Sequence, residues 1–187
     1  MKTKEITQNP ILDLRKRYDG RVRWAKFIEF TIPDREERNQ FKRYVRNAVY
    51  GIRNEKALAF CGQGVNGKSV IIRVLSEIIP DSYFMYNIKS PASHITGKSA
   101  VFNDDVLRSD FDYIKKLLPT GEKIRFNLPG QLEDTPNIFI ALNQIPASVE
   151  LPERFIIINM PNTPIVANPS MAEELLEGRC GILDWFL

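Results

Sequence analysis

Residues 62–69 read Gly-Gln-Gly-Val-Asn-Gly-Lys-Ser and satisfy the pattern G-x-x-x-x-G-K-[S/T]. An apolar run at residues 57–61 precedes this stretch, and an apolar segment with helical spacing follows at residues 67–79, ending before Pro80. Strand, glycine-rich turn and helix form the context in which this pattern binds phosphate. A glycine-rich turn with a purely structural role is the alternative.

The chemistry of this stretch predicts a nucleotide and a metal ion. Glycines let backbone N–H groups turn toward an anion, and the positive end of the following helix adds to the attraction. The spacing assigns Lys68 to the β- and γ-phosphates and Ser69 to magnesium, so a nucleotide and Mg²⁺ are expected. The stretch alone does not separate kinases, GTPases and motor ATPases. The residues expected to bind the nucleotide are Gly62, Gln63, Gly64, Val65, Asn66, Gly67, Lys68, Ser69 and Val70.

Paired acids end the next apolar run, since residues 101–103 lead directly into Asp104 and Asp105. One carboxylate of such a pair can orient the water shell of magnesium while its neighbour polarises the attacking water. The pair therefore favours ATP hydrolysis. Helix-capping or loop aspartates are the alternative.

Two further polar residues lie beside later strands. Asn143 follows the apolar run at residues 138–142, at the end of a strand where α/β proteins bind ligands, and could hold the attacking water. Arg154 begins the last predicted strand and could stabilise charge on a γ-phosphate bound by a neighbouring subunit. A simple turn at Asn143, and a surface salt bridge from Arg154 to Glu150 or Glu153, are the alternatives.

The pattern of elements predicts the fold class. Strands that alternate with helices indicate an α/β layered domain with a largely parallel sheet. Asp34 and Glu37 form a capping-box pattern ahead of an amphipathic helix that reaches about residue 50. Residues 1–30 have weak periodicity and predict only a partly ordered basic arm. The other predicted elements are strands at 57–61, 101–103, 138–142 and 155–158, helices at 67–79 and 109–118, and a hairpin at 122–132.

Composition excludes several protein classes. The 187 residues, 43% hydrophobic and 26% charged, suffice for one globular domain and exclude collagen, disorder and a disulfide scaffold. Two cysteines and one histidine have no zinc spacing and fit a reducing cytosol, so a cytoplasmic location is expected. No run approaches the roughly 20 apolar residues of a membrane span, so no membrane partner is expected.

The charge is unevenly distributed. Residues 1–56 hold 15 Lys/Arg and 8 Asp/Glu, a balance of +7, whereas the rest of the chain holds 11 and 15, a balance of −4. Such a basic cap can attract phosphates. A solvated helix surface is the alternative.

Taken together, five segments resemble the superfamily 3 helicases of viruses, phages and their satellites, especially the primase-helicase type. The glycine-rich stretch is similar to that family's P-loop, in which Asn precedes Gly-Lys-Ser. Residues 94–105 resemble the second motif, residues 138–146 the sensor motif, and residues 154–158 the arginine-finger segment. Residues 181–186 resemble the Gly-Ile-Leu-Asn-Trp segment of the phage members. The resemblance extends over roughly residues 25–187.

This resemblance implies an AAA+-like P-loop core that forms a ring, usually a hexamer, and moves along single-stranded DNA while hydrolysing ATP between subunits. It divides the chain into a basic N-terminal arm with a helical collar at residues 1–52 and the ATPase core at residues 53–187. The implied roles are phosphate contact for Lys68, magnesium for Ser69 and Asp104, water activation for Asp105, sensing for Asn143 and a finger acting in trans for Arg154.

The family also carries a hairpin that projects into the channel of the ring and grips DNA through basic residues. The corresponding segment is residues 121–131, where Lys123, Arg125 and Asn127 alternate with apolar residues. One face of such a hairpin can contact phosphates with little regard to base sequence. The resemblance therefore makes these three residues the predicted DNA contacts.

The predicted function is an ATP-driven ring helicase or translocase acting on single-stranded DNA in viral, phage or satellite genome replication, with a primase or other replication proteins as further partners. One alternative is an ATP-dependent ring assembly module that loads or anchors replication proteins without unwinding. Another is an RNA helicase of the picornavirus type, although the Asn-Gly-Lys-Ser and Gly-Ile-Leu-Asp-Trp segments favour the phage group.

Overall fold

The computed structural model describes residues 10–85, 94–95, 97–104, 106, 114, 118, 136–144, 154–164 and 167–187. The helices found within these residues are Pro10–Thr31 (α1), Arg35–Val49 (α2), Lys68–Ile78 (α3), Met171–Leu176 (α4) and Arg179–Phe186 (α5). The strands are Ala57–Cys61 (β1), Ser82–Phe84 (β2), Ala100–Asn103 (β3), Asn137–Leu142 (β4) and Phe155–Asn159 (β5).

The five strands form one parallel sheet in the order β2-β3-β4-β1-β5. Strand β4 lies between β1 and β3, with Phe139 opposite Leu58 on one side and Phe102 on the other. The predicted α/β class with a parallel sheet is therefore confirmed. Because parallel strands end at the same edge, the segments that follow β1, β3 and β4 meet along one side of the sheet.

Both faces of the sheet are covered, as is usual for parallel sheets. Successive residues of a strand point to opposite faces, so each continuous apolar run serves two cores. The core under α1, α2, α3 and α5 includes Leu58, Phe60, Phe102, Phe139 and Ile158. The core on the other face includes Ala57, Ala59, Val101, Ile138 and Ile140, packed with Ile95, Ile114 and Leu118.

Helix α1 departs most from the sequence prediction. The weak periodicity of residues 1–30 predicts a partly ordered arm, whereas α1 is a helix of 22 residues. Its buried side includes Gly20, Trp24 and Ile28. A Cβ atom on Gly20 would overlap the backbone of Gly178, so the two segments touch main chain to main chain. Because glycine makes part of this contact, the hydrophobic period that would reveal the helix is weak.

Helix α2 confirms one half of the predicted capping box. The Asp34 carboxylate accepts a hydrogen bond from the backbone N–H of Glu37 at 2.8 Å. The Glu37 carboxylate does not reach back to Asp34. It accepts instead from the backbone N–H of Asn159 at 2.7 Å and from Asn159 Nδ2 at 2.6 Å. The start of α2 is thereby attached to the end of β5.

Several elements lie outside what the sequence predicted. Strand β2 has three half-buried residues, and the short helices α4 and α5 follow the last predicted strand. The predicted helix at 109–118 and hairpin at 122–132 fall outside the described residues, except for Ile114 and Leu118, which are buried. Among the described helices, none has the length and apolar character that crossing a bilayer requires.

Candidate nucleotide-binding site

The glycine-rich loop, residues 62–69, connects β1 to α3. A Cβ atom on Gly62 would overlap Asn66 Nδ2 and the carbonyl oxygen of Met160, so only glycine fits there. Gly64 has a φ of +70°, and no atom of the described residues lies within 4 Å of where its Cβ would be. The loop is therefore packed closely at its start and open at Gly64, where a ligand can approach the backbone.

Asn66 holds the loop together. It is 1% exposed, and its Nδ2 donates to the carbonyl of Met160 at 2.7 Å. Its Oδ1 accepts from Lys68 Nζ at 2.8 Å. The Lys68 ammonium also donates to the carbonyls of Gly62 and Gly64. Asn66 thus links the end of β5 to the amine that the sequence assigns to phosphate.

The Lys68 ammonium is a buried cation. Lys68 is 6% exposed, and burial lowers its pKa, with Cys61 acting in the opposite direction. Its oxygen partners are neutral, and no carboxylate of the described residues forms an ion pair with it. Because a buried charge is costly without a counter-charge, an anion that reached the loop would be attracted to this ammonium.

The amino end of α3 adds to this attraction. Gly67 precedes the helix with a φ of +92°, and no side chain from the described part of the chain caps the first turn. The N–H groups of that turn are therefore available to an anion, and the helix dipole favours negative charge there.

The nine predicted nucleotide-binding residues differ in burial. Asn66 and Lys68 are buried. Gly62, Gly67 and Val70 are half-buried, and the exposed residues are Gln63, Gly64, Val65 and Ser69.

Two predicted site residues lie at the same edge of the sheet as the loop. Asp104 follows β3 and Asn143 follows β4, and both are exposed. Asp105, the predicted water-activating acid, falls outside the described residues, as do Lys123, Arg125 and Asn127.

The donor types at this edge fit magnesium. Ser69 and Asp104 offer a hydroxyl and a carboxylate, both exposed. Mg²⁺ prefers oxygen ligands and usually takes one or two carboxylates together with substrate phosphates and water. The pair is therefore suited to hold a Mg²⁺ ion that arrives with a nucleotide.

Arg154 lies at the opposite edge of the sheet. It directly precedes β5, and its carbonyl accepts from the backbone N–H of Ala57 at the start of β1. The five residues of β5 separate the two edges by about 16 Å. Within one chain the structure does not bring Arg154 to the loop. Its side chain is half-buried, and its alternative salt-bridge partners, Glu150 and Glu153, fall outside the described residues.

Sequence reasoning missed two contacts of the loop. The first is the hydrogen bond from Asn66 to the Met160 carbonyl. The second is with α1, because a Cβ atom on Gly67 would lie 3.0 Å from Phe27 Cζ and 3.1 Å from Thr31 Cγ2. The position of Met160 just after a parallel strand was a usable signal. No local pattern marks the contact with α1.

Comparisons with known proteins support the fold. No protein-family model matches the chain, and no curated protein matches it. The A form apo structure of the NrS-1 C terminal region, residues 305–718, is similar with a TM-score of 0.62 and 17% identity, over 87% of this chain and 43% of that one. A second A form apo structure of that region has a TM-score of 0.63 and 17% identity, over 99% and 47% of the two chains. This protein spans less than half the length of either, and the likeness concerns the fold alone.

Proposed function

We propose that this protein is an ATP-driven, ring-shaped helicase or translocase of superfamily 3 that acts on single-stranded DNA in viral, phage or satellite genome replication. The observation that carries the proposal is the buried Lys68 ammonium, held by the oxygens of a glycine-rich loop at the edge where β3 and β4 deliver Asp104 and Asn143. The likeness of fold to the NrS-1 C terminal region supports the α/β fold on which the proposal builds.

Each residue of this edge has a role in the proposal. Lys68 exchanges its bonds with Gly62 and Asn66 for the β- and γ-phosphate oxygens of ATP. Ser69 and Asp104 hold Mg²⁺, which neutralises charge on the phosphates when bound. Asn143 orients the attacking water, and Asp105 accepts a proton from it.

The position of Arg154 supports a ring. Its separation from the loop of its own chain suits a residue that acts on a neighbour. In the proposed assembly, usually a hexamer, the Arg154 guanidinium stabilises charge on the γ-phosphate bound by the adjoining copy. Lys123, Arg125 and Asn127 would contact the strand in the channel, and a primase or other replication proteins would be further partners.

A second candidate is an ATP-dependent assembly module that loads or anchors replication proteins without unwinding. The contact of Phe27 and Thr31 with Gly67 favours it, because α1 would sense a change in the loop directly. In this case ATP would fix the helical collar without supporting turnover.

ATP turnover, measured with and without oligothymidylate, tests the proposal. We expect the single strand to accelerate turnover in the wild-type protein. Lys68→Ala should reduce turnover to background because the phosphate contact is lost, whereas Lys26→Ala, a change at an exposed lysine of α1, should leave it intact.

Oligomeric state separates the remaining possibilities. Sedimentation with a non-hydrolysable ATP analogue should show a ring. Assembly without turnover would support the second candidate, and stimulation by RNA in place of DNA would support an RNA helicase. A permanent monomer that binds no ATP at millimolar concentration would contradict both the motor and the assembly module.

A further inference from the structure

Three cations lie together on the outer surface of α1 and α2. Arg21 and Arg46 are exposed, and Lys42 is half-buried. They are close enough that the charges of Arg21 and Arg46 add to burial in lowering the pKa of Lys42. None of the three forms an ion pair with a described carboxylate.

A neighbouring arginine shows how this surface differs from an ordinary ion-paired one. The Arg17 guanidinium, one turn before Arg21 on α1, donates to both carboxylate oxygens of Asp184 at 2.9 and 3.1 Å. Arg21 and Arg46 each act unfavourably on the Lys42 ammonium, and within the described residues no carboxylate offsets them. An external anion would relieve that repulsion.

Aromatic rings are interleaved with the cations. Lys42 Nζ lies 5.0 Å from the ring centroid of Trp185, and the Arg46 guanidinium carbon lies 6.0 Å from the ring centroid of Tyr50. Tyr50 is 57% exposed, although a ring of this size gains by being covered. Trp185, in contrast, is half-buried against the main core. Cations beside an exposed ring suit single-stranded nucleic acid, because its phosphates need cations and its bases need faces for stacking.

We propose that the surface formed by Arg21, Lys42, Arg46, Tyr50 and Trp185, which we name the basic-aromatic surface, binds single-stranded nucleic acid. Phosphates contact the three cations, and a base stacks on Tyr50. Duplex is a poorer ligand because its bases are already stacked. This site uses none of the hairpin residues of the proposed function, and its binding does not require ATP.

The scaffold of this surface is rigid. Phe41, Tyr44, Val45 and Ala48 bury the opposite side of α2 in the main core, so the cations project from a fixed helix. Lys42 and Tyr50 are eight positions apart, or about 12 Å along the helix, which accommodates a few nucleotides. Gly181 of α5 packs against the backbone of Arg17 and Arg21 and holds α1 beside Trp185.

Fluorescence anisotropy of labelled oligothymidylate, titrated over a range of salt concentrations, tests the proposal. The triple variant Arg21→Gln/Lys42→Gln/Arg46→Gln should bind at least about 10-fold more weakly at low salt, and its salt slope should fall by about 2. The control triple, Arg15→Gln/Arg23→Gln/Lys26→Gln, removes the same charge from exposed positions of α1 and should change binding much less. Equal loss in both triples would overturn the proposal, because binding would then follow net charge alone.

The aromatic component has its own control. Tyr50→Ala should weaken binding by roughly 5-fold or more through the loss of stacking. Phe30→Ala, a change at an exposed ring on α1, should have little effect. If both variants bind like the wild type, the stacking role of Tyr50 is wrong.

A measurement on the wild-type protein avoids any folding defect. Oligothymidylate should protect Lys42 from acetylation, as read by mass spectrometry, while Lys26 stays reactive. Unchanged reactivity of Lys42 would overturn the proposal. An oligouridylate arm distinguishes RNA from DNA as the source of the strand.

Two further variants separate this site from its competitors. Lys68→Ala should keep its affinity for oligothymidylate without nucleotide, so a failed ATPase would not be confused with a failed surface. If Lys123→Gln/Arg125→Gln removes all binding and the basic-aromatic triple removes none, the hairpin is the binding site and the proposal is wrong. The wild-type protein could form an oligomer that the basic-aromatic triple variant does not form. If the wild-type monomer then bound no oligothymidylate, the surface would contact a second copy of the chain and the proposal would be wrong.

Discussion

The hydroxyl of Tyr44 donates to the carbonyl of Ile138 at 3.1 Å and accepts from the N–H of the same residue at 3.2 Å. One side chain of α2 therefore satisfies both backbone groups at the start of β4, 94 positions along the chain. Because Tyr44 is 2% exposed, water cannot replace it. The helix is bound to the sheet by polar contacts as well as by apolar packing.

Tyr44→Phe should lower the free energy of unfolding by about 1–3 kcal/mol at neutral pH, because it removes a hydrogen-bond partner from each of two buried Ile138 groups. Urea unfolding measures this change. Tyr50→Phe, which removes a hydroxyl from an exposed ring, should have almost no effect. An equal loss in both variants would contradict the role assigned to Tyr44.

The same hydroxyl predicts a dependence on alkaline pH. Burial raises the pKa of Tyr44 well above the ordinary value of 10.0. Above about pH 10 an unfolded tyrosine loses its proton, while Tyr44 in the folded protein keeps it. The folded state then binds more protons than the unfolded state, so the free energy of unfolding falls as pH rises, by up to about 1.4 kcal/mol per pH unit. Tyr44→Phe lacks this contribution. The stability gap between wild type and variant should therefore narrow above about pH 10; a constant gap would mean that Tyr44 ionises equally in both states.

Asn66→Ala should destabilise the protein by about 1–3 kcal/mol, because the buried Met160 carbonyl and the Lys68 ammonium each lose a partner. The pKa of Lys68 should fall further, since a hydrogen bond that favours its charged form is gone. Urea unfolding of Asn66→Ala and of Asn39→Ala, a change at an exposed asparagine of α2, gives the comparison. Equal stability of the two variants would show that the link from the loop to β5 contributes little.

Gly181→Ala should destabilise the protein by about 3 kcal/mol, because the added methyl group would overlap the Arg17 carbonyl and force α1 away from α5. Gly51→Ala is the matched control. Gly51 has a φ of +68° with no atom near its Cβ position, so only backbone strain of about 1 kcal/mol is expected. Thermal unfolding of both variants tests whether Gly181→Ala destabilises the protein more than Gly51→Ala. A smaller loss of stability in Gly181→Ala than in Gly51→Ala would contradict the close contact between α1 and α5.

Mixed rings test the proposed role of Arg154. Arg154→Ala and Lys68→Ala should each abolish ATP turnover, the former by about 10³- to 10⁵-fold. Mixing the two variants should restore part of the turnover, because one type of interface then has both groups intact. Arg43→Ala, which removes an exposed arginine of α2, should remain active alone. Mixed rings that assemble without any recovery would support the salt-bridge alternative.

Local rules sufficed for the centre of the fold. The apolar runs that became β1, β3 and β4 are buried on both faces, and continuous apolar runs of this kind are typical of strands in a parallel sheet. The run that became β5 is apolar as well, although its middle residues are half-buried. Asp34 was predictable as a helix cap because the bond to Glu37 spans only three residues. The rule that parallel strands share an edge then places Asp104 and Asn143 on the side of the glycine-rich loop.

The other features of the fold and the site depend on contacts between residues far apart in the sequence, which no short stretch of sequence reveals. Helix α1 packs through Gly20 against Gly178, and backbone contact leaves no apolar period to detect. Glu37 matched a capping box, yet its carboxylate reaches Asn159, 122 positions away. Asn66 donates to the backbone carbonyl of Met160. Because every residue type has a backbone carbonyl, the sequence does not mark this partner.

The order of strands also bears on how the protein is made. Both sheet neighbours of β1, namely β4 and β5, come from the last third of the chain. A ribosome therefore releases β1 with two open sides long before either partner exists, and unpaired apolar strands promote aggregation. The two N-terminal helices emerge earlier and bear apolar residues that cover one face of β1 in the native state. During translation these two helices can therefore shield the apolar side chains on one face of β1 from aggregation until β4 and β5 are synthesised.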